Sequence, residues 1–269
     1  MLLQKLMSRP ALTVTIITLN EEKNLARALK SVDWADQRLV IDSGSTDRTV
    51  EVARAHGATL LHNPWLGYGK QKNFAQDRAS HDWILNLDAD EEVSPELRSE
   101  IEAILAAVQS GESRHTGFEI PRKTWFLGRW IFHGGWYPNH LVRLANRKQA
   151  RWTEPQVHER WCVEPHLIGR LTNPLLHYTF ASIQEQILTN LRFSYLGFQD
   201  LRSQGKRPSL LKLIFKPIGK FIETYVLKQG FLDGLPGFII SVNAAHSMFL
   251  KYAYLFEAEI AENENPDRR

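Results

Sequence analysis

Apolar and polar residues alternate in short blocks along the first hundred positions, and the blocks differ in period. Aliphatic and β-branched runs bounded by Pro, Gly, Asn or Asp predict strands at residues 12–18, 38–42, 58–61 and 83–88. Apolar residues at helical spacing, with Asn or Asp in capping positions, predict helices at residues 25–32, 47–57 and 70–79. This regular alternation calls for a mostly parallel sheet with right-handed crossovers and helices on its faces.

Polar side chains follow three of the predicted strands. They lie in the segments Thr18-Leu19-Asn20-Glu21, Asp42-Ser43-Gly44-Ser45 and Asp88-Ala89-Asp90. Ligands of such sheets bind beyond the carboxyl ends of the strands, so the three segments are expected to converge on one crevice. An aspartate at a strand end can accept hydrogen bonds from a ribose hydroxyl or a base N–H, which favours a nucleotide. For each segment alone, ordinary loop and helix-cap chemistry is the alternative interpretation.

Asp88 and Asp90 also have the spacing to present two carboxylate oxygens to one divalent cation. Mg²⁺ and Mn²⁺ accept such ligands, with substrate phosphates completing the coordination shell. The alternative is an acidic loop in which Glu91 and Glu92 open the next helix, where negative charge suits the helix dipole. The phosphate loops Gly-x-Gly-x-x-Gly and Gly-x-x-x-x-Gly-Lys-Ser/Thr are absent, which argues against NAD or ATP bound in those modes.

Composition narrows the class of protein. The 269 residues, 43% of them hydrophobic, suffice for one large domain or for one domain with an appendage. A formal net charge of +3 indicates no polyanionic partner, so nucleic acid is not expected. The single cysteine, Cys162, excludes an intramolecular disulfide and a cysteine-based zinc site. Neither a signal-peptide core at residues 1–12 nor a clear membrane-spanning run is present, so a cytoplasmic location is expected.

In order and spacing, four motifs resemble those of the family-2 glycosyltransferases of GT-A fold. They are Thr18-Leu19-Asn20-Glu21-Glu22, Val40-Ile41-Asp42-Ser43-Gly44-Ser45-Thr46-Asp47, Lys72-Asn73 and Leu87-Asp88-Ala89-Asp90-Glu91. Within the family, the chain looks like the branch that includes lipopolysaccharide-core glucosyltransferases. That likeness rests on Trp34-Ala35-Asp36, Phe126-Leu127-Gly128-Arg129, Gly135-Trp136-Tyr137-Pro138, Val142-Arg143-Leu144 and Val157-His158-Glu159. The family resemblance covers residues 12–105, and the likeness to this branch extends it to about residue 180 and more loosely to the C-terminus.

The resemblance implies a GT-A type, Rossmann-like α/β fold and a role for each site residue. The residues implied to surround the nucleotide of the donor are Thr18, Asn20, Glu21, Asp42, Lys72 and Asp88. Among them, Asp42 would contact the uracil or ribose and Asp88 the ribose, while Asp90 would bind the metal that bridges the diphosphate. Two positions depart from the family pattern: Arg48 replaces a common glycine, and Asn139 stands where an acid is expected on the acceptor side.

The resemblance further implies inverting transfer, which needs a carboxylate to take a proton from the acceptor hydroxyl. By the same resemblance Glu159 is this base, with Glu154 as the second candidate. His158, beside Glu159, is a candidate ligand for Mn²⁺ because imidazole suits that ion better than it suits Mg²⁺. The alternative is that Glu159 pairs with Arg160 or Arg151 on a surface strand.

Four other residues of the second half are candidates for a functional or a structural role. Trp136 and Tyr137 are candidates to pack against acceptor sugar rings, and core packing is the alternative for Trp136. Arg143 is a candidate contact for the diphosphate or for an anionic acceptor, and an ordinary surface arginine is the alternative. His177 is interpreted as a core histidine rather than as a functional one.

The composition changes again after residue 184. An amphipathic helix is predicted at 184–198, and basic residues interleave with large apolar ones over 206–228, which is typical of a membrane-surface element. A helical subdomain packed on the sheet or at a dimer interface is the alternative. The predicted domains are a transferase domain, 1–180, with nucleotide-sugar (12–105) and acceptor (106–180) halves, and a helical extension, 181–269.

Together these features predict a metal-dependent glycosyltransferase at the inner face of the cytoplasmic membrane. The donor is expected to be a UDP-linked hexose, the cofactor Mg²⁺ or Mn²⁺, and the acceptor a saccharide on lipopolysaccharide core or a lipid carrier. Transfer to a polypeptide side chain and a catalytically silent nucleotide-sugar-binding scaffold are the alternatives. A nucleotidyltransferase is disfavoured because residues 13–22 lack a glycine- and arginine-rich activating loop.

Overall fold

The structure is a computed structural model that describes residues 9–154 and 159–264. The chain divides into two compact units. The first comprises Met1–Lys123 and Asn139–Tyr178, and the second comprises Thr124–Pro138 and Thr179–Arg269. The predicted domain division after residue 180 stays a prediction, and residues 124–138 fall in the second unit.

Ten strands of the described residues form one mixed sheet, and two further strands form a separate two-stranded sheet. In chain order the strands are β1 (Leu12–Thr18), β2 (Gln37–Asp42), β3 (Thr59–His62), β4 (Trp83–Asp88), β5 (Glu91–Val93), β6 (Gly117–Phe126), β7 (Arg129–Ile131), β8 (Asn139–Asn146), β9 (Arg151–Trp152), β10 (Trp161–Cys162), β11 (Ile168–Arg170) and β12 (Leu175–His177). Eight of the ten strands follow the order β3-β2-β1-β4-β8-β6-β12-β5, and β7 and β11 each pair with β6.

The predicted α/β fold class is confirmed. Strands β3, β2, β1 and β4 are mutually parallel, as the alternating pattern of the first hundred residues predicts. Beyond them the sheet continues with antiparallel neighbours, since β8 runs opposite to both β4 and β6. The helices of the first unit are α1 (Leu25–Ser31), α2 (Thr49–Ala55), α3 (Tyr68–Arg78) and α4 (Pro95–Ser110), with a 3₁₀ turn at Pro165–Leu167.

The register of the central strands sets the position of the polar segments. Thr18 at the end of β1 pairs with Asp42 at the end of β2, and Ile17 pairs with Asp88 at the end of β4. Apart from Ile17, the apolar residues of these strands are buried, and a one-residue slip of register would exchange the side chains of the two faces of the sheet. The carboxyl ends of the three strands are therefore fixed side by side.

Helix α4 shows how local sequence signals set an element that supports the sheet. Ser94 caps the helix by accepting a hydrogen bond from the amide of Leu97, and Pro95 occupies the first turn. Leu97, Ile101 and Leu105 recur every four residues and are fully buried. Gly111 ends the helix with a φ of 81°, in the left-handed region that glycine adopts at little cost.

Glu100 on α4 holds the loop that leads into β12. Its carboxylate accepts four hydrogen bonds of 2.8–2.9 Å from the amides and side chains of Thr172 and Asn173. Burial acts to raise the pKa of Glu100, but these donors outweigh it and lower the pKa below its ordinary value. The carboxylate form therefore stabilises the fold.

Replacing Glu100 by glutamine should lower the free energy of unfolding by about 1–2 kcal/mol at neutral pH. Because the pKa of Glu100 is lower in the folded state, its contribution is present above the ordinary carboxyl pKa and is lost as the pH falls through the folded value. Urea unfolding at neutral and acid pH measures the difference between variant and wild type. Glu102→Gln, which removes an exposed pair with Arg98, is the control, and a pH-independent difference would contradict the assignment.

The second unit is helical apart from β7 and the end of β6. Its helices are α5 (Ile183–Ser203), α6 (Leu210–Phe221), a π-helical turn (Ile222–Leu227), a 3₁₀ turn (Gly230–Asp233) and α7 (Gly234–Glu264). Asp233 is buried and accepts hydrogen bonds from the amides of Phe132 (3.1 Å) and His133 (2.7 Å), which fixes the 124–138 segment against the helices. Among the helices of the described residues, none has the length and apolarity to cross a membrane.

Candidate active site

The loop after β2 is organised around the carboxylate of Asp42. Asp42 is buried, and its Oδ2 accepts hydrogen bonds from the amides of Gly44 (2.9 Å) and Ser45 (3.0 Å). Gly44 has a φ of 101°, which lets the chain fold back over the aspartate. Thr18 lies beside it, with its hydroxyl 3.4 Å from Asp42 Oδ1. The structure thus brings Thr18 and Asp42 together, as predicted for two donor-side residues.

Asn20 and Glu21 join the loop after β1 to the loop after β2. The amide of Asn20 donates to Ser45 Oγ (2.8 Å), and its side-chain oxygen accepts from the amide of Thr46 (2.8 Å). Asn20 itself has a φ of 58°, which asparagine tolerates better than most residues. Burial raises the pKa of Glu21, a hydrogen bond from Asn24 opposes this, and the negative charges of Asp90 and other aspartates raise the pKa further. The side chain of Glu21 therefore lies within the electrostatic influence of the Asp90 carboxylate.

Asp88 at the end of β4 belongs to a buried network of charges centred on Arg143 of β8. One guanidinium nitrogen of Arg143 donates to Asp88 (2.5 Å) and to Glu91 (2.9 Å), and the other donates to the side chain of Asn86 (2.8 Å). Burial acts to raise the pKa of Asp88, but the charges of Arg143 and Lys72 outweigh it and hold the pKa well below its ordinary range.

This pairing changes the interpretation of Arg143. The sequence suggested a contact for the diphosphate or an anionic acceptor, with an ordinary surface arginine as the alternative. The side chain is instead buried and commits its charge to two carboxylates of its own chain. Arg143 therefore positions Asp88 and Glu91, and neither residue type nor spacing in the sequence signals that pairing.

Lys72 on α3 links the donor side of the site to Glu159. The ammonium group of Lys72 lies 2.8 Å from Glu159 Oε1 and 3.5 Å from Asp88 Oδ1, and it sits over the ring of Trp152. The side chain of Glu159 is 16% exposed, so it remains accessible from solvent. The suggested partner Arg151 pairs with Asp77 instead. Glu159 thus belongs to the cluster at the strand ends rather than to a surface ion pair with Arg151.

Glu154, the second candidate base, lies on the same side of the cluster. It is exposed, and its Oε1 accepts a hydrogen bond from the side chain of Asn73 (2.8 Å). The neighbouring residues Lys72 and Asn73 therefore contact the two candidate carboxylates, one each.

Asp90 has a partner that the sequence did not identify. Its Oδ2 lies 3.2 Å from Nε2 of His177, and β12 brings that histidine beside β5, where His177 pairs with Glu91. His177 is buried, in agreement with its interpretation as a core histidine, but its ring is directed at the Asp-x-Asp segment. The only sequence signal was its place after a short apolar run, Leu175-Leu176, which many core histidines share.

The carboxylate of Asp90 and the imidazole of His177 fit a divalent cation whose coordination shell is completed by a bound ligand. Across the part of the chain that the structure describes, no group of three or more His, Cys, Asp or Glu side chains could hold a metal by itself. One carboxylate and one imidazole leave most coordination positions to water or substrate oxygens, as is usual for Mg²⁺ or Mn²⁺ with phosphates. His158, the predicted second ligand, lies outside the described residues.

Trp136 and Tyr137 lie in the second unit, where both make aromatic contacts. Trp136 packs against Phe126 and Phe180, with ring centroids 6.0 and 6.1 Å apart, and Tyr137 meets Phe132 edge-on. These contacts give Trp136 the packing role that the sequence left open as the alternative. The part of either residue in acceptor binding stays a prediction.

Comparison with known proteins identifies a matching family and several relatives of this chain. The family model "Glycosyl transferase family 2" matches residues 13–164. An uncharacterized glycosyltransferase of Rickettsia typhi is 34% identical, over 91% of this chain and 86% of the relative. The lipopolysaccharide core biosynthesis glycosyltransferase LpsC of Rhizobium meliloti is 31% identical, over 91% and 92%.

Among solved structures, similarity is weaker. A glucosyl-3-phosphoglycerate synthase from Mycobacterium tuberculosis, in complex with Mn²⁺, UDP and glucosyl-3-phosphoglycerate, has a TM-score of 0.48 and 17% identity. The match covers 72% of this chain and 81% of that one. The family match and the relatives carry the assignment, and the structural similarity adds nothing to it.

Proposed function

Because the chain belongs to glycosyl transferase family 2, we propose that it moves a hexose from a UDP-sugar to a saccharide acceptor, with inversion and with the help of a divalent cation. One observation carries the proposal. At the end of β4, Asp88 and Glu159 share Lys72 as a partner, and Asp90 pairs with His177 of β12. A metal ligand and a base are the two groups that this reaction needs.

The donor nucleoside would lie over the loops after β1 and β2. Asp42 uses one carboxylate oxygen for two backbone amides, so its position is fixed before any ligand binds. Asp88 is held ionised by Arg143 and Lys72, which suits a carboxylate that accepts hydrogen bonds from ribose hydroxyls. Thr18, Asn20, Glu21 and Lys72 would complete the donor side of the site.

Asp90 and His177 would hold the cation. A bound divalent ion would neutralise the diphosphate and so stabilise it as a leaving group. The mixed oxygen and nitrogen donors suit Mn²⁺ better than Mg²⁺.

Glu159 would act as the general base. Its hydrogen bond to Lys72 leaves the second carboxylate oxygen able to take the proton of an acceptor hydroxyl. The name of the Rhizobium meliloti relative supports a saccharide of lipopolysaccharide core, or of a related lipid carrier, as the acceptor.

Calorimetry with UDP, GDP and ADP, in the presence of Mn²⁺ and of EDTA, tests the proposal. We expect selective binding of UDP that depends on Mn²⁺. Asp90→Ala and His177→Ala should each weaken Mn²⁺-dependent UDP binding by more than about tenfold, since loss of a ligand's outer-shell partner alone costs about 10–100-fold in metal affinity.

Asp82→Ala is the matched control, because Asp82 is a partly exposed aspartate that pairs with Lys148 and Arg147 outside the cluster. It should bind UDP as the wild type does. If UDP binds equally well in Mn²⁺ and in EDTA, the metal role of Asp90 is wrong. If no nucleotide binds under either condition, the UDP-sugar assignment is wrong as well.

A further inference from the structure

Helix α6 carries large apolar side chains on its outer surface. Leu211 is 70% exposed and Phe215 is 61% exposed, and Ile214 and Ile218 of α6 are also exposed, as is Ile222 at the start of the π-helical turn. Residues 214, 218 and 222 lie four apart, and so do 211 and 215, so these side chains share one face of the helix. An exposed apolar face of this extent on a folded protein marks an interaction surface.

Other residues of α6 pack against the rest of the second unit. Helix α6 contacts α7, and Leu213, Pro217 and Phe221 are the partly buried apolar members of α6. The ring of Phe221 lies 6.0 Å from that of Phe238 on α7. The fold of the second unit therefore does not need the outer face of α6, which has no partner among the described residues.

The apolar surface continues beyond α6. Val226 and Leu227 of the π-helical turn, Phe231 and Leu232 of the 3₁₀ turn, and Leu235 at the start of α7 are all exposed. We refer to residues 210–235 as the apolar ramp. This surface extends over several helical turns and does not form a concave pocket. It therefore suits an extended partner better than a small ligand.

Positive charge is concentrated on the same segment. Between residues 206 and 233 the chain has six basic residues and two acidic ones: Lys206, Arg207, Lys212, Lys216, Lys220 and Lys228, against Glu223 and Asp233. Glu223 is paired with Lys220 and Lys228, and Asp233 is buried. The net charge of the whole chain is only +3, so its positive excess lies here.

We propose that the apolar ramp lies in the interface of an anionic lipid bilayer, with its apolar side chains inserted and the lysines at the headgroups. A basic polar face and an aromatic and aliphatic face on one helix are the pattern of interfacial helices. A second copy of the chain is the less favourable occupant, because a two-fold contact would bring this positive segment against itself. The inference rests on residues of the second unit alone, so it is tested independently of the proposed binding of a UDP-sugar and a metal ion.

Sedimentation of the purified full chain with vesicles tests the proposal. Phosphatidylcholine vesicles that contain phosphatidylglycerol should bind the protein, pure phosphatidylcholine vesicles should bind it much less, and added salt should weaken the binding. The double variant Leu211→Glu/Phe215→Glu and the double variant Lys212→Glu/Lys216→Glu should each bind the anionic vesicles more than about tenfold less tightly.

Matched controls separate the ramp from nonspecific effects. Leu188→Glu replaces an apolar residue of α5 that is 56% exposed, and Lys30→Glu/Arg54→Glu reverses two exposed charges of the first unit. Both should bind the vesicles as the wild type does, and circular dichroism should show that all variants are folded.

Absence of wild-type binding to anionic vesicles, or equal binding by the ramp variants, would overturn the proposal. A concentration-dependent dimer that Leu211→Glu/Phe215→Glu dissociates, without vesicle binding, would replace the bilayer by a second copy.

Discussion

Replacement of Glu159 by glutamine is expected to lower the turnover number by about 10²–10⁴-fold, the usual contribution of a general base. Glutamine keeps the size of the side chain and an oxygen for Lys72, but its amide does not accept the proton of an acceptor hydroxyl. Mn²⁺-dependent UDP binding should be unchanged, because Glu159 is not among the groups proposed to hold the donor. Release of UDP from a UDP-hexose in the presence of a lipopolysaccharide-core acceptor measures the turnover.

Glu154→Gln is the matched control for this substitution. Glu154 is a nearby carboxylate, held by Asn73 in the way that Glu159 is held by Lys72, and it was the second candidate. A large loss with Glu159→Gln and a small one with Glu154→Gln would support the assignment. The reverse result would assign the role of general base to Glu154. Near-normal transfer by both variants would show that neither residue is the base.

Replacement of Arg143 by methionine is expected to lower the free energy of unfolding by about 3–5 kcal/mol. Arg143 is the cation shared by Asp88 and the fully buried Glu91, and its removal leaves buried negative charge without its main partner. The loss should exceed that of an ordinary surface arginine because burial penalises an unpaired charge far more than solvent does. Chemical denaturation at neutral pH measures the difference.

The control and a rescue variant make this prediction specific. Arg151→Met removes an exposed ion pair with Asp77 and should change the stability by less than about 1 kcal/mol. Adding Glu91→Gln to Arg143→Met should restore part of the lost stability, since it removes the charge of the buried carboxylate that Arg143 contacts. A loss of under about 1 kcal/mol with Arg143→Met, or no restoration by Glu91→Gln, would be inconsistent with a charge-balancing role.

The first half of the chain was predictable because its signals are local. The apolar runs of β1, β2 and β4 determine strands, and parallel topology brings their carboxyl ends to one edge without any knowledge of side-chain contacts. That reasoning placed Thr18, Asp42 and Asp88 together, and the structure agrees. The family motifs supplied the identity of the enzyme class, which the relatives then confirmed.

The charge pairs at the site were not predictable in this way. Lys72 and Glu159 are 87 positions apart, and Arg143 and Asp88 are 55 apart. Their pairing depends on where β8 and the β9–β10 pair pack, and those antiparallel strands are too short or too irregular for a clear pattern. His177 reaches Asp90 only because β12 joins the sheet beside β5.

The sequence by itself determined the parallel half of the sheet, the family and the residues at the strand ends, because periodicity and short motifs act over a few positions. Only the tertiary structure decided which charges those residues meet, and hence which carboxylates are neutralised and which stay available. Electrostatic interactions depend on distance and burial in space, and two side chains distant in sequence acquire both only when the sheet has been assembled.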